Sequence, residues 1–149
     1  MRDTLRVGMT HTLCLTVPDR LTVPGMMPDV ESWQEMPRVL ATSMLVALME
    51  WAALELLLPH YEDGEQTVGV HIDMSHVAAT PPGMDVEITA KLVGIDGRFY
   101  DFEIVGRDQF DVIGEGKHRR AVIKRAKFDE RLAEKMARSR SVARQAPKT

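Results

Sequence analysis

Cysteine is almost absent. Cys14 is the only one in 149 residues, which excludes an intrachain disulfide framework and a cysteine-based zinc cluster and predicts a reducing, cytoplasmic setting. A basic excess is missing too. Nineteen Lys and Arg face 22 Asp and Glu, a net charge of −3, which argues against a general nucleic-acid binder. No long apolar run is free of charge. Val39 to Leu58 carries Thr42, Ser43, Glu50 and Glu55, and two carboxylates within ~20 residues favour a buried helix over a membrane span. The opening MRDTLRVGMTHTL lacks the apolar stretch of a secretory signal. There is no G-x-S-x-G, no phosphate-binding loop, no G-x-G-x-x-G after a strand and no H-E-x-x-H. The five histidines come without a tight carboxylate cluster, so no metal site is predicted.

What is present fits one domain. Apolar residues make up 44% of the chain, enough for a single core at this length. Charge is unevenly spread. Residues 124–149 hold nine Lys and Arg against three acids, a net +6, which leaves residues 1–123 at −9. This division predicts a domain over 1–128 and a basic extension over 129–149, partly helical and then disordered from Ser139.

His11, Leu13, Leu15 and Val17 alternate with Thr12, Cys14 and Thr16, the period of a half-buried strand. Pro18, Pro24, Pro28 and Pro37 exclude a regular helix or central strand over 18–38. Such a long loop suits a lid, with Met26, Met27, Trp33 and Met36 as its apolar underside. From about Thr42 to Leu58 strong helix formers dominate, and apolar side chains occupy nearly every face. That predicts an enclosed helix, ended by Pro59.

Four extended runs follow. Thr67–His76 places Val68, Val70, Ile72, Met74 and His76 on one face, and Val86–Leu92 alternates with Asp85–Lys91. Gly94–Gly97 reads as a hairpin turn before Arg98–Arg107, and Phe110–Lys124 carries Gly114 and Gly116 at bulge or bend positions. One apolar helix followed by an antiparallel meander is α+β. A sheet curled around that helix is the hotdog arrangement.

Three polar residues stand in apolar surroundings. Glu50 lies within LVALMEWAAL. It meets a solvent gap or an internal polar partner, or it is a desolvated nucleophile or general base aimed into a pocket. His76 shares the inward face of its strand, either as a satisfied core residue or as partner to that carboxylate. Thr42 competes with Ser43 as helix N-cap, or presents its hydroxyl beside free backbone N–H groups suited to an oxyanion. Thr42 and Glu50 are ~12 Å apart along a regular helix. They serve one centre only if Thr42 leaves the helix or each handles a different part of the substrate.

The combination of A-T-S at 41–43, L-M-E-W-A at 48–52 and H-x-A-A-T-P-P-G at 76–83 resembles the fluoroacetyl-CoA thioesterase branch of the hotdog superfamily. The resemblance runs from about Arg6 to Phe128. It implies a homodimer, or a higher assembly, that hydrolyses acyl-CoA thioesters without metal or cofactor. Thr42, Glu50 and His76 match the family's catalytic residues, Gly69 its glycine near the catalytic water, and Arg120 an arginine of the late strand that contacts substrate. The fluoroacetyl-specific enzyme has lid phenylalanines where this chain has Trp33 and Met36. A flexible methionine fits many shapes, so the implied substrate is a small acyl-CoA of broader or different acyl group. The phosphates of CoA require local cations, for which Lys117, Arg119, Arg120 and the start of the basic extension are candidates. The alternative in another class is a non-catalytic acyl-CoA-binding module, against which the retention of Thr42, Glu50 and His76 together stands.

Overall fold

The computed structural model describes residues 1–145. A first strand, β1 (Thr10–Thr16), precedes two one-turn helices, α1 (Val23–Met26) and α2 (Glu31–Gln34), and one long helix, α3 (Thr42–Leu57). Four strands follow, β2 (Glu65–Met74), β3 (Asp85–Asp96), β4 (Phe99–Asp108) and β5 (Val112–Lys124), and then α4 (Arg125–Gln145). The strands form one antiparallel sheet in the order β1-β3-β4-β5-β2. Its edges are therefore β1 and β2.

The sheet wraps one side of α3. Leu45, Leu48, Met49, Ala52, Ala53, Leu56 and Leu57 are buried against Val86, Ile88, Ala90 and Leu92 of β3 and Tyr100, Phe102 and Ile104 of β4. Each large aliphatic side chain so buried contributes roughly 1.5–3 kcal/mol. This is the α+β hotdog arrangement that the sequence predicts. The helix is not enclosed all round, however. Ser43, Ala47 and Trp51 are exposed, Trp51 by 45%, so the apolar pattern on its outer side finds no cover within one chain. By length and composition alone Thr42–His60 could cross a bilayer, but the side of it that meets the sheet is the protein core.

The proline-rich segment holds α1 and α2 rather than a wholly irregular loop, each only one turn long, α1 with Pro24 in its first turn and α2 between Pro28 and Pro37. The buried Thr22 anchors it. Its hydroxyl accepts from the Gly25 N–H at 3.2 Å, and its backbone bridges to Leu40 just before α3. Ser43 Oγ donates to Met26 Sδ at 3.0 Å, which ties α1 to the first turn of α3. Trp33 is half-buried, while Met36 is 51% exposed.

Two further features of the sheet bear on the site. The β2–β5 register slips between Gly69 and His71, leaving Val70 as an extra residue, 50% exposed. The bulge breaks the uniform alternation expected over Thr67–His76, so that Thr67 faces inward, Val70 outward, and His76 lies beyond the strand's end. Gly114 adjoins a slip in the β4–β5 register that skips Ile113, the bulge expected there, and Gly114 and Gly116 both also serve close approach. A side-chain carbon on Gly114 would overlap the carbonyl of Ser75, and one on Gly116 that of Asp73. The β3–β4 turn does need a special backbone, supplied by Gly97 at φ 56°.

α4 grows directly out of β5, and its residues from Asp129 to Arg140 are exposed. It continues to Gln145, past Ser139, where composition predicts disorder. The Ala, Leu, Arg, Lys, Glu and Met that dominate it are strong helix formers, and they override the polar composition. The part of that prediction falling on 146–149 lies outside the described residues.

Candidate active site

α3 carries two polar half-sites. The first sits at its N-terminus. Ala41 occupies the N-cap position without a side-chain cap, and Thr42 is the first helical residue, so neither Thr42 nor Ser43 caps the helix. The Thr42 hydroxyl is instead 2.9 Å from His76 Nδ1. His76 Nε2 is buried and has no hydrogen-bond partner among the described residues. Burial holds this imidazole below the ordinary histidine range, only partly offset by the Ala78 carbonyl.

The loop bearing His76 is held from several directions. Ser75 N–H donates to the Glu115 carbonyl and Val77 N–H to the Ile113 carbonyl, each at 2.8 Å, and Leu40 N–H donates to the Thr80 carbonyl at 2.8 Å. The buried Thr80 hydroxyl donates to Asp108 Oδ2 at 3.0 Å. The other oxygen of Asp108 accepts from the N–H groups of Phe110 and Asp111, both at 2.9 Å. His76 is thus fixed against α3 although it belongs to no regular element.

The second half-site lies two turns along α3. Glu50 projects toward β2 and β5 with its side chain 43% exposed, so it is a rim carboxylate of the single chain and not the fully desolvated group that sequence suggests. Its Oε1 lies 3.7 Å from His118 Nε2 and 3.8 Å from Arg120 Nη1. Gly69 faces it across the gap. A methyl group there would overlap Glu50 Oε1 and press on His118 Cε1 at 3.1 Å. Trp51, Leu54, Glu50, Gly69 and Arg120 line a groove of about 380 Å³ beside this cluster.

Arg120 is an interior cation. Its side chain is only 7% exposed. Nε donates to Thr67 Oγ1 at 3.1 Å, Nη2 to the Thr67 carbonyl at 3.1 Å, and Nη1 meets His118 Nε2 at 3.2 Å. Its neighbour Arg119 faces outward, with Nε 2.8 Å from Asp101 and the guanidinium stacked 4.9 Å over the Phe99 ring. Lys124 is paired with Glu65 at 3.2 Å and Arg125 with Asp129 at 2.7 Å. Most of the cations considered for CoA phosphates are therefore engaged with acids of the chain itself.

The structure thus joins Thr42 to His76, and Glu50 to Gly69 and Arg120. It gives Glu50 a different imidazole from the expected one. His118 and Thr67 escape a reading of motifs, yet a signal for His118 exists. It has the same strand parity as Arg120, and both are buried.

A five-stranded antiparallel sheet wrapped around one central helix is the hotdog fold of the thioesterase superfamily. A Thermus thermophilus member of that superfamily shares the fold, with a TM-score of 0.84 at 24% identity over 93% of this chain and 98% of its own. The family model described as fluoroacetyl-CoA-specific thioesterase matches residues 24–126, and the chain belongs to that family. The fluoroacetyl-CoA thioesterase of Streptantibioticus cattleyicolor is 40% identical over 135 residues, covering 91% of this chain and 97% of that protein. The crystal structure of a phenylalanine-to-alanine variant of a fluoroacetyl-CoA-specific thioesterase superposes with a TM-score of 0.86 at 40% identity, over 90% of this chain and 99% of its own.

Proposed function

We propose that this chain hydrolyses a small acyl-CoA thioester to the free acid and CoA, using Thr42, Glu50 and His76 without metal or cofactor. The observation that carries the reading is the Thr42–His76 pair at 2.9 Å, with the histidine's second nitrogen left without a partner at a helix N-terminus. First-turn N–H groups of a helix have no acceptor within it. Together with the Thr42 hydroxyl they stabilise the negative charge that forms on the thioester carbonyl oxygen.

Glu50 supplies the oxygen chemistry. The two half-sites lie about two turns apart on one α3, and the homodimer is what brings both to one carbonyl. There the Glu50 carboxylate either attacks the carbonyl carbon, expelling CoA thiolate and leaving a mixed anhydride that water then cleaves, or takes a proton from a water that attacks directly. On the anhydride route neutral His76 accepts at Nε2 the proton of the water that cleaves the anhydride and returns it to the CoA thiolate; on the direct route Glu50 takes that proton and the thiolate receives it from Glu50. Gly69 leaves room for that water beside Glu50. Arg120 lies beside Glu50 and is buried, so it acts on the acyl end of the substrate and not on the nucleotide phosphates. Trp33 and Met36 form the lid over the acyl group, and an adaptable methionine widens the range of groups accepted.

The pocket is completed in a homodimer. Trp51 at 45%, Leu58 at 51% and Val70 at 50% exposure lie on the uncovered side of α3 and along the free β2 edge, and a second copy covers them. The free, exposed thiol of Cys14 suits a cytoplasmic site of action.

The test is release of free thiol from a panel of acyl-CoAs, with Glu50→Ala as control. Release that depends on Glu50 supports hydrolysis, and absence of release from the whole panel supports a binding module instead. A single turnover in oxygen-labelled water separates the two roles of Glu50. Label in its carboxylate marks the anhydride route.

A further inference from the structure

We infer that His118 is a positioning residue for this reaction, holding the Arg120 guanidinium beside Glu50. The inference rests on the thioesterase reading above and deepens it. His118 is 2% exposed, and its Nδ1 lies 2.8 Å from the backbone carbonyl of His71. A carbonyl only accepts, so Nδ1 carries the proton. In the neutral ring Nε2 is then a lone pair. It faces Arg120 Nη1 at 3.2 Å, and a guanidinium only donates, so Nε2 accepts from Arg120.

That bond is the third of three. Thr67 takes the Nε and Nη2 donors of Arg120 through its hydroxyl and its carbonyl, and His118 fixes the remaining corner. Nη1 is left pointing along Glu50 Oε1, at 3.8 Å. With His118 removed, the planar guanidinium keeps only its two bonds to Thr67 and can tilt about them, so the positive charge beside the carboxylate loses its third restraint.

The ring has no nitrogen left for substrate, which separates His118 from His76. The groups facing it are Arg120 on its own strand, His71 on β2, Glu50 on α3 and the Phe102 ring on β4, at 6.5 Å between centroids. Burial is the largest influence on the ring, and Arg120 adds to it. Together with the charge of the His71 ring they hold the imidazole below the ordinary histidine range, with the His71 carbonyl and Glu50 opposing. A protonated ring would turn an N–H toward Arg120 and break the arrangement.

Two conservative variants of the full-length chain divide this role from that of a pin between β2 and β5. His118→Asn places an amide N–H where Nδ1 was and keeps the bond to the His71 carbonyl, but offers Arg120 nothing. His118→Gln reaches the Nε2 position with an amide oxygen that accepts from Arg120. With both variants shown to be folded by thermal melting, His118→Asn is expected to lose kcat by roughly 10²-fold, as for other misplaced catalytic groups, with KM nearly unchanged. His118→Gln is expected to recover most of that loss. An Asn variant as fast as the parent, or a Gln variant no faster than Asn, overturns the proposal.

Nitrogen-15 NMR of the parent supplies a measurement independent of turnover. The Nδ1–H tautomer is expected for His118 at neutral pH, and an Nε2–H or protonated ring overturns the proposal. A parent chain that releases no thiol is recognised before any variant is compared. That outcome removes the functional reading itself and this role with it, whereas turnover unaffected by His118→Asn removes the role alone.

Discussion

The two ends of the polar line on α3 contrast in what they leave free. At the N-terminus, Thr42 and His76 meet each other and little else, and His76 Nε2 remains without a partner. Around Glu50, each polar neighbour is spent on another: His118 on His71, and Arg120 on Thr67 and His118. On the proposed mechanism one end offers an unpartnered nitrogen for proton transfer, and the other holds its cation still beside the reacting carboxylate. The proposed catalysis uses both, and the single chain places them about two turns apart.

Changing the still end at its centre gives the largest effect. Glu50→Gln keeps size and removes the charge, and thiol release is expected to fall by roughly 10³-fold, measured as kcat on the preferred acyl-CoA. At the mobile end, Thr42→Ala removes one donor to the oxyanion and is expected to cost between about 10² and 10³ in kcat. Thr42→Ser, which keeps the hydroxyl, retains much of the rate. Equal losses for Ala and Ser would assign Thr42 to packing. Gly69→Ala crowds Glu50 without touching the other half-site, and a misplacement near 1 Å is expected to cost about 10²-fold in kcat. The melting temperature of that variant tells displacement from unfolding.

A smaller effect comes from pH, and it touches both ends. His76 and His118 are each held by burial below the ordinary histidine value of 6.5. Activity is therefore expected to be flat above that pH and to fall on an acid limb lying below it. Stability follows the same direction. The unfolded chain takes up protons at these rings before the folded one does, so stability is full above pH 6.5 and declines as pH falls through that value. Chemical denaturation across this range checks it. The smallest effect is expected from ending the chain at Phe128. The helix beyond it is exposed through Arg140, and kcat on acyl-CoA is expected to stay at the parent level.

Much of the fold was legible because period and punctuation are strong here. The alternation of β1, the apolar run of α3 and the breakers at Pro59 and Gly97 all locate elements correctly. Thr42, Glu50 and His76 stood out in the sequence as polar residues in apolar surroundings, whereas Gly69 and Arg120 entered only through the family resemblance. The wiring between them was not legible. Val70 as an added residue resets the in–out parity of β2, and no residue type announces it. The partner of Glu50 is decided by which strands pair, β2 with β5, a long-range fact that local pattern does not encode. Thr42 looks like a cap, but the backbone turns into the helix one residue earlier, at Ala41, and frees the hydroxyl.

Val70 is a supernumerary residue at the edge of the sheet, and the slip it causes does two jobs at once. Upstream, it presents the bare backbone of Gly69 to a carboxylate; downstream, it aims the carbonyl of His71 at an imidazole. Absorbing Val70 into regular alternation, with the slip removed, would invert inside and outside for every residue from His71 to Met74 while leaving every amino acid of the proposed machinery in place. In this chain the count of residues between two side chains is as heritable a part of the chemistry as the side chains themselves.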